Sequence, residues 1–165
     1  MEHIDEDLFE RKYDEYGEML YRIAYLFVAN ASDAEDVLQE VFIKLFYSAP
    51  QFKSPGHEKA WLIKITQNYC KNLLKSSGRK NTPLDDLQSV PGAAVDTDMR
   101  LDVVRQVIAL PFKYKSAVIL YYYNDYPVAE IAKILNISKS AVKMRLKKGR
   151  ELLKLELEEY GYGKK

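Results

Sequence analysis

The stretch from Tyr126 to Leu157, YPVAEIAKILNISKSAVKMRLKKGRELLKLEL, constrains the fold more than any other part of the chain. Val128, Ile131, Ala132 and Leu135 recur at helical spacing and share one face. Asn136 then stands where a helix ends in the left-handed conformation, which Asn tolerates better than most non-glycine residues. Ile137 plugs the corner, and Ser138 is a good N-cap for a second helix. That helix buries Val142, Leu146 and Leu153. Its other faces carry Lys139, Lys143, Arg145, Lys147, Lys148, Arg150 and Lys154 against a single acid, Glu151. Apolar spacing, turn residue, cap and charge agree on a helix-turn-helix whose second helix can enter a major groove. The plainer alternative is an amphipathic hairpin with a solvated basic face.

Net charge is only +1, and that value hides strong segregation. Residues 1–50 hold four Lys/Arg and twelve Asp/Glu, a net of −8. Residues 51–80 hold seven Lys/Arg and one acid, a net of +6, and residues 139–154 repeat that count. Two basic blocks beside an acidic one suggest two nucleic-acid contacts and a third contact of another kind. With 47% hydrophobic and 30% charged residues, the composition is that of a soluble globular protein. No run of about 18 apolar residues exists to cross a membrane. The acidic N-terminus, MEHIDEDLFERKYDEYG, does not read as a secretion signal. Cys70 is the single cysteine, so no internal disulfide can form, and it reads as a small core or surface residue.

Before the helix-turn-helix, periodicity predicts a helix over about Asp5 to Ala29, with Leu8, Phe9, Tyr13, Tyr16, Leu20, Ile23, Phe27 and Val28 on one apolar stripe. Asn30-Ala31 reads as a break, and Ser32 to Glu35 as a capping box starting a second helix. There Ala34, Val37, Leu38, Val41, Phe42, Leu45 and Phe46 form the core face. Asp36, Gln39, Glu40, Ile43 and Tyr47 form another stripe, part acidic and part apolar. That mixture suits a protein partner, although a solvated face with incidental apolar residues would look similar. The loop PQFKSPG follows, and its Phe52 either anchors the loop or stacks on a ligand.

A third helix is predicted from His57 to Ser77, with Trp61, Leu62, Ile65, Tyr69, Leu73 and Leu74 inward. Lys64, Asn68, Lys71, Asn72 and Lys75 share one face next to aromatics, as lysines and amides suited to phosphates and unstacked bases, or simply to water. Residues 79–97, with two prolines, a glycine and small polar residues, read as a flexible linker and domain boundary. MRLDVVRQVIAL then predicts a helix ended by Pro111. FKYKSAVILYYYN predicts another, with Ala117, Val118, Leu120, Tyr121 and Tyr122 facing inward. Pro127 fits the first turn of the helix after that. No strand pattern occurs, so the fold class is all-α, in two small helical domains.

Catalytic chemistry finds no constellation. His3 and His57 lie in unrelated segments, and neither a Gly-rich phosphate loop nor Cys/His metal spacing is present. The acids at 33–36 are explained by a helix start, through capping and the macrodipole. No cofactor, metal or enzymatic activity is therefore expected.

An acidic helix, a basic aromatic helix, a linker and a helix-turn-helix, in that order, resemble the bacterial sigma factors of the sigma-70 type, extracytoplasmic-function group (group IV). The resemblance covers nearly the whole chain. DAEDVLQEVFIKLF is similar to the segment that grips the clamp helices of the polymerase's largest subunit. HEKAWLIKITQNYCKNLL is similar to the −10 recognition and melting helix, and LPFKYKSAVILYYYNDYPVAEIAKILNISKSAVKMRLKKGRELL to the −35-binding domain. The resemblance implies region 2 over 1–78, a linker over 79–97 and region 4 over 98–160, with three to four helices in the first and four in the second.

It also implies residue roles. Asp36, Gln39, Glu40 and Ile43 face polymerase. Phe52 belongs to the pocket for a flipped base, and Lys64, Asn68, Lys71, Asn72 and Lys75 to the face along the opened −10 strand. Lys143, Met144, Lys147 and Lys148 reach the −35 major groove, while Ser140 and Arg145 meet phosphate. Implied partners are core RNA polymerase (clamp helices and β flap), promoter DNA, and an anti-sigma factor, in many relatives membrane-anchored. The implied location is the bacterial cytoplasm. Ala141, Met144 and Pro127 depart from the Thr, small polar residue and Ser common there. A methionine can touch a thymine methyl but cannot read guanine by paired hydrogen bonds. A conventional helix-turn-helix repressor or activator is the rival reading.

Overall fold

A computed structural model describes residues 6–76 and 97–158 of the chain. Among the described residues there are helices and no strand. The chain divides into two compact units between Pro91 and Gly92. Of the linker expected at 79–97, residues 79–96 lie outside the described residues, and Thr97 already belongs to a helix of the second unit.

The first unit contains α1 (Glu6–Val28), α2 (Ala31–Ser48) and α3 (Pro55–Ser76). Tyr16, Leu20, Ile23, Phe27 and Val28 of α1 are buried, as the stripe predicts. Phe9 and Tyr13 are not; they stay partly exposed, stacked 6.1 Å apart, and Phe9 also stacks on Phe46 of α2. The α1–α2 corner differs from expectation. Ala29 takes a left-handed φ of 55°. Asn30, extended at φ −151°, caps α2 by accepting a hydrogen bond from the Asp33 N–H at 2.9 Å. Ser32 is exposed inside the first turn and is not the cap. A helix has one N-cap position, and the turn at Ala29 gives it to Asn30.

The α2 core face is buried as predicted, except that Phe46 is only half-buried. α3 begins at Pro55, earlier than His57, because Ser54 Oγ caps it by accepting from the His57 N–H at 3.0 Å. Its core also differs. Leu62, Ile63, Ile65, Thr66, Gln67 and Cys70 are buried, whereas Trp61, Tyr69, Leu73 and Leu74 are only half-buried. α3 packs against both α1 and α2, so a wide arc of its surface is covered. Thr66 tolerates burial because its hydroxyl donates to the Leu62 carbonyl at 2.7 Å.

The second unit contains α4 (Thr97–Ala109), α5 (Phe112–Val118), α6 (Val128–Leu135) and α7 (Lys139–Glu158). α5 runs into a π-helical turn at Ile119–Tyr123, closed by the Asn124 N–H donating to the Ile119 carbonyl at 3.1 Å. Ile108, Leu110, Val118, Ile119, Leu120, Ile131, Ile134, Val142 and Leu146 form the core. Tyr121 and Tyr122, expected inward, are exposed along with Tyr123. The widened π turn rotates them off the core once Leu120 has been buried. Pro127 caps α6 instead of lying in its first turn. α7 passes close to α5 at Gly149, where an added Cβ would stand 2.6 Å from Val118 Cγ2.

Candidate functional site

Three exposed faces carry the residues singled out by sequence. The first is on α7. Asn136 adopts the left-handed conformation (φ 56°, ψ 49°) that ends α6, and the Ile137 N–H donates to the Ala132 carbonyl at 3.0 Å. Ser138 Oγ caps α7 by accepting from the Ala141 N–H at 3.0 Å. Val142 and Leu146 are buried, which fixes the rotation of α7. Ser140, Lys143, Met144, Lys147 and Lys148 then face solvent, and Arg145 is half-buried. Met144 is 72% exposed, more than any other large apolar side chain described, so burial does not account for it. Among the described residues none of these cations is ion-paired. Arg150, outside the sequence-derived set, is also exposed, with its Nη1 3.4 Å from Tyr122 Oη.

The second face is on α3. Lys64, Asn68, Lys71, Asn72 and Lys75 are all exposed together. Sequence reasoning placed Trp61 in the core; it is half-exposed and sits with exposed His57 at the N-terminal end of this same face. The signal was available in the spacing, since 57, 61, 64, 68, 71 and 75 follow one helical stripe. Half-buried Phe52 joins them, its ring centroid 5.3 Å from that of His57 and 5.4 Å from that of Trp61. The Lys53 N–H donates to His57 Nδ1 at 3.1 Å, which ties the loop to the helix. An aromatic cluster therefore leads into a row of lysines and amides.

The third face is on α2. Asp36, Gln39 and Glu40 are exposed, with Ile43 at 47% and Tyr47 at 54%. Beside them a groove of about 1060 Å³ runs between α1 and α2, lined by Phe9, Tyr13, Gly17, Phe42, Ile43 and Phe46, among others. Apolar lining with acids at the rim has the makings of a protein contact. Sequence reasoning missed the groove because it assigned Phe9 and Tyr13 to the core. Among the described residues, no group of three or more His, Cys, Asp or Glu is placed to hold a metal. No described helix is long and apolar enough to cross a membrane.

Comparison with known proteins matches both helical units to one family. Residues 13–80 match the family Sigma-70 region 2, and residues 100–153 match Sigma-70, region 4. The chain is 26% identical over 169 residues to the ECF RNA polymerase sigma factor SigW of Bacillus subtilis, covering 93% of this chain and 90% of that protein. It is 29% identical over 139 residues to the RNA polymerase sigma factor SigV of Bacillus subtilis, covering 83% of each. The fold is shared with the sigma factor RpoE solved in complex with the anti-sigma factor NepR from Bartonella quintana (TM-score 0.76, 18% identity, 91% of this chain and 96% of that one). It is shared also with CnrH in complex with the cytosolic domain of CnrY (TM-score 0.68, 21% identity, 93% and 90%). Both halves of the chain thus match one family, and the protein belongs to the sigma-70 family of RNA polymerase sigma factors, in the extracytoplasmic-function group.

Proposed function

We propose that this protein joins core RNA polymerase, directs it to a promoter by recognising −35 and −10 elements, and assists DNA opening. The observation that carries the reading is the presence of three exposed polar faces on different helices, acidic on α2 and basic on α3 and α7. In this reading 1–78 act as region 2, 79–97 as a tether and 98–160 as region 4. Asp36, Gln39, Glu40 and Ile43 meet the clamp helices of the polymerase. Lys64, Asn68, Lys71, Asn72 and Lys75 hold the opened −10 strand, with Phe52 beside a captured base. Ser140, Lys143, Met144, Arg145, Lys147 and Lys148 dock α7 on the −35 element.

The energetics fit that division. Opening a duplex loses about 1.4 kcal/mol of stacking per base-pair step. Stacking an unpaired base on an aromatic side chain returns roughly 1–3 kcal/mol. The aromatic cluster around Trp61 lies at the head of the strand-holding face, where such a return is useful. Polymerase supplies the catalytic site, so this chain needs none of its own. Its place of work is the bacterial cytoplasm, and an anti-sigma factor is a partner there, as NepR is of the sigma factor RpoE.

The deciding experiment is reconstitution of core polymerase with this protein, followed by transcript-start mapping. Discrete starts that depend on the added protein are expected. A conventional helix-turn-helix regulator would instead bind a duplex operator tightly by itself, as a dimer on half-sites about one helical turn apart, and would leave core polymerase silent.

A further inference from the structure

The π-helical turn that ends α5 presents three consecutive tyrosines to solvent, and one of them touches α7. Tyr122, 52% exposed, lies with its hydroxyl 3.4 Å from Nη1 of Arg150. Tyr121 braces it, ring against ring at 4.9 Å and 75°. All three phenols of the π turn are exposed, and Tyr122 is the one shown against α7.

Arg150 belongs to a stripe of cations. Lys139, Lys143, Lys147 and Arg150 recur at i, i+4, i+8 and i+11 along one flank of α7 and are all exposed. They span about 16 Å at 1.5 Å per residue. The buried residues Val142, Leu146 and Gly149 define the neighbouring face, so this flank lies beside the core contact and not opposite it. A helix whose outer face enters a major groove brings such a flank past the sugar-phosphate backbone. The contact with Tyr122 is long and consumes little. Arg150 keeps the rest of its five-donor fork, and the Tyr122 oxygen, which accepts, still has its own proton to donate. Among the described residues no carboxylate pairs with Arg150. A guanidinium fork and a phenol O–H side by side match two oxygens of one phosphate.

We infer that Arg150 and Tyr122 form a binding site for one backbone phosphate of duplex DNA at the edge of the −35 element. Arg150 supplies the charge, and Tyr122 both orients the guanidinium and donates to the phosphate. The site is blind to base sequence and sets the register in which α7 enters the groove. The inference rests on the −35 reading proposed for α7.

The test uses the complete protein assembled with core polymerase and a promoter fragment whose start site has been mapped with it. A series of fragments carries one neutral methylphosphonate each, stepped through the −35 region and its flanks. Wild type should lose affinity at several positions. Arg150→Ala should bind the unmodified fragment about tenfold more weakly at 0.1 M salt, and equally so on altered −35 sequences. Its salt slope should fall by about 1. Arg150→Ala and Tyr122→Phe should both lose sensitivity to the same single methylphosphonate while keeping the others. Unchanged methylphosphonate profiles in both variants would overturn the inference. Lys147→Ala with Lys148→Ala separates the two levels of the argument. If that pair alters the salt slope and the Arg150 and Tyr122 variants alter nothing, only the phosphate site is wrong. If the lysine pair also alters nothing, the −35 reading fails and the phosphate site with it.

Discussion

Lys12 Nζ lies 2.7 Å from Glu58 Oε1, and this ion pair fastens α1 to the first turn of α3. The Tyr16 hydroxyl donates to the same oxygen at 2.9 Å. Both donors converge on a carboxylate that is only 11% exposed. Replacing Glu58 by Ala strips both donors of their acceptor, and should cost about 2–3 kcal/mol in urea unfolding of the complete protein. Lys12→Met keeps the apolar stem and the tyrosine bond, and should cost nearer 1 kcal/mol. Equal losses in the two variants would show that the tyrosine bond contributes nothing.

The same cluster sets an alkaline limit. Burial, and then the hydrogen bond to the Glu58 carboxylate, push the Tyr16 phenol well above its ordinary value of 10.0. The folded state therefore holds its proton more tightly than the unfolded chain does. That contribution is complete below a pH of about 10 and is lost as the pH rises above it, because the unfolded chain ionises first. Tyr16→Phe should lower stability by about 1 kcal/mol at neutral pH. Above pH 10 its stability should fall less steeply than that of wild type, which paired unfolding curves at the two pH values will show.

Two left-handed residues make a matched pair of substitutions. Ala29 and Asn136 have φ of 55° and 56°. A left-handed alanine costs roughly 1–2 kcal/mol that glycine does not incur. Ala29→Gly should therefore stabilise the first unit by about 1 kcal/mol. Asn136→Gly should be near neutral, and Asn136→Ala should cost about 1 kcal/mol. Denaturant midpoints decide between these signs.

Gly149 marks the closest approach of α7 to α5. An alanine there gains about 1 kcal/mol of helix propensity, yet its Cβ would stand 2.6 Å from Val118 Cγ2. Overpacking of that kind costs about 1–3 kcal/mol. Gly149→Ala is expected to destabilise the second unit, and adding Val118→Ala should recover part of the loss. Strict additivity of the two changes, read in a double-mutant cycle, would contradict a steric cause.

The acidic face makes a different prediction. Asp36→Lys with Glu40→Lys should leave helicity intact, since both side chains are exposed. Affinity for core polymerase should fall roughly tenfold or more, because a complementary charge pattern becomes a repulsive one. Titration of labelled protein against core enzyme measures it; an unchanged affinity would remove α2 from the polymerase contact.

The basic face of α7 should reveal itself through salt. Lys147→Ala with Lys148→Ala removes two cations that have no carboxylate partner among the described residues. The slope of log affinity against log salt for promoter binding should become shallower by about 2. Footprinting at several salt concentrations supplies the slope.

What the sequence determined by itself was local. The helix-turn-helix was legible because Asn136, Ser138 and the spacing of Val142 and Leu146 act within a few residues of chain, where a cap or a left-handed turn has few alternatives. The exposed stripes on α2, α3 and α7 were legible because opposite helix faces partition charge from core. Tertiary structure decided the rest. It buried Ile63, Thr66 and Gln67 and left Trp61 half-exposed, since two neighbouring helices fix the rotation of α3. It gave the α2 cap to Asn30 through the strained turn at Ala29. It opened a groove beneath Phe9 and Tyr13, brought Gly149 against Val118, and turned Tyr122 outward to meet Arg150. Apart from the Asn30 cap, which is local, each of these depends on residues far apart in the chain that meet only once the helices have packed.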